Sequence, residues 1–324
     1  MRVAVLVPFV GVGLFAVGLV AVGLALAPST RAVAQSADWN NCLGNDRERR
    51  IAGCTAIIDG RGSTKSARGV AHNNRGLAYR DMGDLERALN DFNEAVDLDG
   101  KNASAHYNRG EVYRAKGDLD RAAVEFSEAM RLDGKDADPL IARGIVYRVK
   151  GDNDRALADL NEAIRLNPKN EAAYFNRGLT YLYSGALPLA LADLGQAADL
   201  DPKDAYTALW ADIVAQRSKA PSPLSQAVAR LDMNAWPAPI VRLFLGEMAL
   251  PAALAAAGDA DAGKARDRAC EANFYGGQWQ LRQSKRDAKK EAARLFTLAA
   301  SDCPPSFNEA SAAKAELKAL GTVR

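Results

Sequence analysis

The chain has 324 residues, 48% of them hydrophobic, and its 42 basic against 40 acidic side chains leave a net charge of +2. That length and apolar content suffice for a substantial core, and the near balance of charge excludes the domain-wide basic field that draws nucleic acid. Removing the first 34 residues, with Arg2 and Arg31, would leave 40 basic against 40 acidic groups.

The N-terminus opens Met1-Arg2, runs apolar from Val3 to Ala27, and reaches a small-x-small site at Ala32-Val33-Ala34. That order describes an export signal over residues 1–34, with cleavage expected after Ala34. The run is also long enough to span a bilayer, so an uncleaved inner-membrane anchor facing the periplasm is the alternative. Either way the bulk of the chain is expected to be exported, with a bacterial periplasm as its compartment. Cys42 follows Trp39-Asn40-Asn41 rather than small apolar residues, so no lipid-attachment cysteine is expected.

Four cysteines in an exported chain suggest two disulfides. In a helical hairpin the start of the first helix lies beside the end of the second. This favours pairing Cys270 with Cys303, nearly one repeat apart, and Cys42 with Cys54 across a shorter hairpin. The CxxC spacing of a metal site is absent, and no metal is expected.

Residues 35–66 are expected to form a capping hairpin, with shortened helices between Asp38 and Asp59 and a breaker-rich loop at Gly60 to Lys65. From 67 to 204 one pattern then recurs four times at a spacing of 34 residues. Arg75-Gly76, Arg109-Gly110, Arg143-Gly144 and Arg177-Gly178 fall in register, as do Tyr79, Tyr113, Tyr147 and Tyr181. Ala88, Ala122, Ala156 and Ala190 follow, then Phe92, Phe126, Leu160 and Leu194, then Ala95, Ala129, Ala163 and Ala197. The glycines and first alanines let two helices approach closely, and the larger side chains fill the space beside them. Gly83-Asp84, Gly117-Asp118 and Gly151-Asp152 predict tight turns in which the aspartate caps the second helix. Gly185-Ala186 lacks the cap and predicts a looser turn. Pro168 and Pro202 close two repeats, whereas Gly100 and Gly134 stand in the others, where a left-handed glycine would end the helix.

From 205 to 265 the period breaks down into an irregular helical segment, with helical patterns at 205–216, 224–231 and 240–245. Over 266–324 a divergent repeat returns. Phe274-Tyr275-Gly276-Gly277 reads as its first helix, and Ala292, Phe296, Ala299 and Pro304 mark the second, after a slip of about three residues near Lys285-Arg286. A last helix, Asn308 to Leu320, is expected to shield the exposed end.

The repeats resemble the tetratricopeptide family, which implies an all-α, right-handed superhelical array of helical hairpins. Farther on, Ala208-Leu209-Trp210, Trp236-Pro237, Leu243-Phe244-Leu245-Gly246, Glu271-Ala272-Asn273-Phe274-Tyr275 and Leu295-Phe296-Thr297-Leu298-Ala299 follow in order. They are similar to the C-terminal half of the periplasmic tetratricopeptide lipoproteins typified by new lipoprotein I. That resemblance implies a cell-envelope scaffold or adaptor, often dimeric, that brings a tail-specific protease together with cell-wall enzymes. The absent lipid-attachment cysteine and the added Cys42/Cys54 pair depart from that pattern and leave outer-membrane anchoring and client identity open.

No nucleophile with its base, paired carboxylates or cofactor motif has supporting spacing, so no catalytic residue and no cofactor are assigned. His72 and His106 stand one repeat apart at the same offset, which allows a shared metal but favours a packing role. Arg75, Arg109, Arg143 and Arg177 would form a carboxylate-gripping ladder, except that Asp91, Glu125, Asp159 and Asp193 follow sixteen residues later and offer a partner within each repeat. Positions about 100° round the first helices from the glycines should face a concave groove. They are Asn73, Leu77 and Arg80; Tyr107, Glu111 and Arg114; Ile141, Ile145 and Arg148; and Phe175, Leu179 and Leu182. Asn74, Asn108, Asn176 and Tyr183 lie beside them. Such a surface suits a peptide, with amides for its backbone and arginines for its carboxylates. A holdase-like chaperone for exported polypeptides is the alternative function.

Overall fold

The computed structural model describes residues 30–283 and 287–322. The apolar run of the expected export signal, and the point near Lys285-Arg286 where the last repeat slips, lie outside the described residues. Among the described residues all regular structure is helical, and no helix is long and apolar enough to cross a membrane. The architecture is an all-α solenoid of helical hairpins.

Helices α1 (Thr30–Cys42) and α2 (Arg47–Asp59) form the first hairpin. The four regular hairpins are α3 (Lys65–Asp81) with α4 (Leu85–Leu98), α5 (Ala103–Ala115) with α6 (Leu119–Leu132), α7 (Asp138–Val149) with α8 (Asn153–Leu166), and α9 (Glu171–Tyr183) with α10 (Leu187–Leu200). Close approach inside each depends on the glycine. A Cβ on Gly76 would stand 2.7 Å from the Phe92 ring and one on Gly110 2.7 Å from Phe126, while Gly144 and Gly178 meet Leu160 and Leu194 at 2.9 and 3.0 Å.

The turn glycines Gly83, Gly117, Gly151 and Gly185 all have φ between +77° and +84°. After the first three, the aspartate accepts from the backbone N–H three residues on and also pairs with that residue's arginine, as Asp84 does with Arg87. The arginine in turn lies over the repeat's tyrosine, 4.4 Å from the ring centre for Arg87 on Tyr79. The fourth hairpin lacks this cap. Its turn is nonetheless no looser: Ala186 N–H reaches Tyr181 O at 2.9 Å, as Asp84 N–H reaches Tyr79 O. Backbone geometry set by glycine, rather than the side-chain cap, fixes the turn.

Gly100 and Gly134 are not left-handed. The stop lies one residue earlier, at Asp99, Asp133, Asn167 and Asp201, whose side-chain oxygens each accept from the N–H two residues on at 3.1 Å. This Asx turn is common to all four repeats, so the following residue is free to be glycine or proline.

Each repeat arginine grips its own acidic partner. Arg75, Arg143 and Arg177 bind Asp91, Asp159 and Asp193 through two bonds of 2.7–2.8 Å, and Arg109 binds Glu125 at 2.7 Å. A further nitrogen of each arginine, Nη1, reaches back to the preceding hairpin, to Thr55, Asn93, Ser127 and Asn161 in turn. The ladder therefore also ties neighbouring hairpins together. His72 Nδ1 and His106 Nδ1 lie 2.9 and 2.8 Å from Asp91 and Glu125, each inside its own repeat.

Beyond α11 (Ala205–Arg217) the chain makes the short helices α12 (Leu224–Ala227), α13 (Ala238–Phe244) and α14 (Leu250–Ala255), with a 3-10 turn at Val228–Arg230. Helices α15 (Ala262–Leu281) and α16 (Ala288–Asp302) then pair as a hairpin, and α17 (Asn308–Ala319) follows. Gly277 faces Phe296 at 2.6 Å from a built Cβ, the same approach as Gly76 on Phe92 with three more residues between the partners. Trp210, Phe274, Tyr275 and Phe296 are wholly buried in the core of this half. Cys42 bonds to Cys54 and Cys270 to Cys303, with Cα atoms 4.6 and 5.0 Å apart.

Candidate functional site

The first helices α3, α5, α7 and α9, followed by α11, stand side by side and carry the groove positions. At the α3–α5 end the surface is polar and open. Asn73 Oδ1 accepts from Asn108 Nδ2 at 3.0 Å, and Asn74 Nδ2 donates to Val70 O on its own helix. Arg80, about one-third exposed (33%), leans on Asp81 and lies 3.5 Å from Asn108 Oδ1. Leu77 and Tyr107 are half-buried, Tyr107 with its ring 5.7 Å from Phe126.

Farther along, several candidate positions prove to be interior. Ile141 packs with Leu140 and Leu160, and Ile145 lies partly buried against them. Leu179 is fully buried and Leu182 nearly so, both in the core that joins the fourth hairpin to the C-terminal half, with Phe175 packed against it. Asn176 Nδ2 donates to Ala172 O, while its Oδ1 is buried without a partner among the described residues. A first helix here contacts more than one neighbour, so positions 100° from the glycine still reach core. The helical wheel does not separate the two environments.

Arg114 of α5, Arg148 of α7 and Arg217 of α11 meet the chain's own C-terminal segment. Arg114 chelates Glu111 at 2.7 and 3.1 Å and extends Nη1 to the carbonyl of Ser306 at 3.2 Å. Arg148 Nη2 donates to Asn308 Oδ1 at 2.6 Å, and Nη1 lies 3.5 Å from Ser311 Oγ. Arg217 pairs with Glu316 and donates to Gln278 Oε1 at 2.9 Å. Pro305, Ser306 and Phe307 form one seam with Leu119, Ile145 and Val149. The last helix thus does more than shield an end: with the residues just before it, it reaches α7 and α5, over contacts of 160 and 192 residues in sequence.

Burial shapes the charges here. It pushes the Arg148 guanidinium down to about 10, still cationic at neutral pH, although its direct partners are the neutral Asn308 and Ser311. Burial, with nearby Glu271, raises the Glu309 carboxyl to about 7; Tyr275 Oη donates to it at 3.0 Å. Burial also raises Glu271, against the bonds it accepts from Trp236 Nε1 and Tyr206 Oη. Tyr183, likewise raised by burial, has a hydroxyl without a partner among the described residues.

Sequence reasoning placed Arg114 and Arg148 on the groove but missed Asn308, Glu309, Ser311 and Glu316 as their neighbours. No spacing rule connects them, since they belong to the end of the chain. The one signal was compositional: two glutamates seven apart in an alanine-rich helix, hence on one face and unsuited to a plain apolar cap.

Two repeat models match the chain: TPR repeat over residues 76–115 and 144–185, and Tetratricopeptide repeat over 103–136. The chain therefore carries tetratricopeptide repeats. Among solved structures, PilF of Pseudomonas aeruginosa is 18% identical, with 82% of this chain and 99% of that one covered and a TM-score of 0.47. A thermophilic TPR protein of Thermus thermophilus is 20% identical over 52% of this chain and 91% of its own, with a TM-score of 0.45. YrrB, described as a TPR protein with an unusual peptide-binding site, is 24% identical over 56% of this chain and 92% of its own, with a TM-score of 0.42. No curated protein matches the chain.

Proposed function

We propose that the protein is a non-catalytic adaptor of the bacterial cell envelope, exported to the periplasm, that holds protein or peptide clients on the inner face of its repeats. The observation that carries this reading is the open end of the groove. Asn73, Asn74 and Arg80 present amides and a partly exposed guanidinium next to the half-buried Leu77 and Tyr107, a mixture suited to a polypeptide. The two disulfides support an oxidising compartment. The C-terminal resemblance to the periplasmic lipoproteins typified by new lipoprotein I supports an envelope protease and cell-wall enzymes as clients. The polar character of this end favours a specific adaptor over a holdase, which needs a broad apolar surface.

The test is a photo-crosslinking residue at position 80 in intact cells, with a second at Gln196, exposed on α10, as control. Discrete protein adducts from position 80, abolished by excess purified protein and absent from position 196, are the expected result. No adduct at position 80, or the same adducts at both, would overturn the reading. Arg80→Ala separates adaptor from holdase: it should weaken capture of a specific client about tenfold or more, and leave suppression of aggregation by a generic unfolded chain unchanged.

A further inference from the structure

We propose that α17 is a built-in stand-in for a client: the groove takes a short helix with a carboxylate in its first turn, and the chain's own C-terminal segment fills that place until such a helix displaces it. The inference rests on the groove reading above and adds the ligand class and its regulation.

Register is the first argument. The segment meets α5, α7 and α11 in chain order, Ser306 with Arg114, Asn308 and Ser311 with Arg148, and Glu316 with Arg217. Arg80, the next rung of the same row, stays uncovered. A helix of two turns spans about 10 Å, and Glu309 and Glu316 stand that far apart on one face. The occupant therefore runs along the array in the order of its first helices.

Incomplete fit is the second. Arg148 is a buried cation whose direct partners are neutral, and its Nε has no partner among the described residues. The same holds for Tyr183 Oη and Gln278 Nε2. A buried polar network left partly satisfied gives up much of its value, and a permanent cap would do better with apolar contacts. A carboxylate in place of the Asn308 amide would give Arg148 a charge-assisted, two-bond partner. The groove thus holds more recognition than α17 uses.

Attachment is the third. The Cys270–Cys303 bridge pins the end of α16 to α15, and Pro304-Pro305 follows at once. Residues from 304 onward lie outside that bridge, and their tie to α15 is the bond from Tyr275 to Glu309 together with the packing of α17 on the same core. The apolar groups that α17 buries are three alanines, Ala310, Ala312 and Ala313, and one leucine, Leu317, with Phe307 and Leu320 packed partly against the same core at its two ends.

The probe is a fluorescent peptide of residues 304–318, with a second peptide carrying Asn308→Asp, added to full-length protein. Wild type should bind both weakly, because its own segment competes at high effective concentration. The Asn308→Ala/Glu316→Ala variant should bind the first peptide at least about tenfold tighter, and the Asp-bearing peptide tighter again. Hydrogen exchange of the wild type is the companion measurement and needs no variant. Residues 308–319 should exchange through an opening that leaves α15 and α16 protected. Equal capture by wild type and a folded variant, or α17 exchange only together with α15 and α16, would make α17 a fixed structural cap and overturn the proposal. Crosslinking at position 80 reads a surface α17 does not touch, so the two ideas fail separately.

Discussion

Replacing Glu309 with glutamine should tighten α17 at pH 8 and leave it nearly unchanged at pH 4. The carboxyl is buried and accepts from Tyr275 Oη. The titratable groups that act on it or feel it are Glu271 and Tyr275 of α15, Tyr206 of α11, Tyr183 of α9 and Arg148 of α7. Burial first, and then Glu271, lifts its pKa from 4.5 to about 7. A group raised by folding stabilises the folded form fully below its unfolded pKa, and that contribution is lost as pH rises through the folded one. Between pH 4.5 and pH 8 the loss amounts to about 3 kcal/mol. Glutamine keeps an acceptor for Tyr275 and never ionises, so its docking should not vary over that range. The assay is amide exchange of residues 308–319, corrected for intrinsic rates. At pH 8 the wild-type helix should open about a hundredfold more readily than that of Glu309→Gln, and at pH 4 the two should agree within about twofold. A wild-type opening equilibrium that is flat from pH 5 to pH 8, or a Glu309→Gln variant with the wild-type slope, would refute the reasoning.

Three further outcomes test the repeats themselves. Gly110→Ala places a Cβ 2.7 Å from Phe126 and should cost about 1–3 kcal/mol in urea unfolding. Gly195→Ala, in the middle of α10 with nothing within 4 Å, should instead stabilise by about 0.5–1 kcal/mol. Ala186→Asp should add about 1 kcal/mol by supplying the missing cap of α10, since Ala186 has φ −83° and ψ 58° against −84° and 77° at Asp84. An unchanged midpoint would show that the turn geometry leaves nothing for a cap to add.

The hairpins were legible because a solenoid is locally determined. Each glycine meets a residue sixteen positions on, each Arg75-type arginine its acid at the same distance, and each turn its own glycine, so one period carries every contact that builds the unit. The pairing of Cys270 with Cys303 followed from that period as well. Even the divergent last hairpin kept the Gly277–Phe296 contact when three residues entered between its helices. The helix stop was misread at Gly100 and Gly134 because glycine is the more familiar signal, although Asp99, Asp133, Asn167 and Asp201 stood in register.

By itself the sequence determined the element types, their pairing and the place of Arg114 and Arg148 one repeat apart on first helices. Only the tertiary structure decided what lies against them. How far the array curls is a sum of small rotations between hairpins and of the irregular stretch from α12 to α14, and no local pattern encodes that sum. It brings Ser306 and Asn308 to Arg114 and Arg148 across 192 and 160 residues. The same accumulated curvature placed Leu179 and Ile141 in the core, left Arg80 partly exposed, and brought a terminal helix against Arg148.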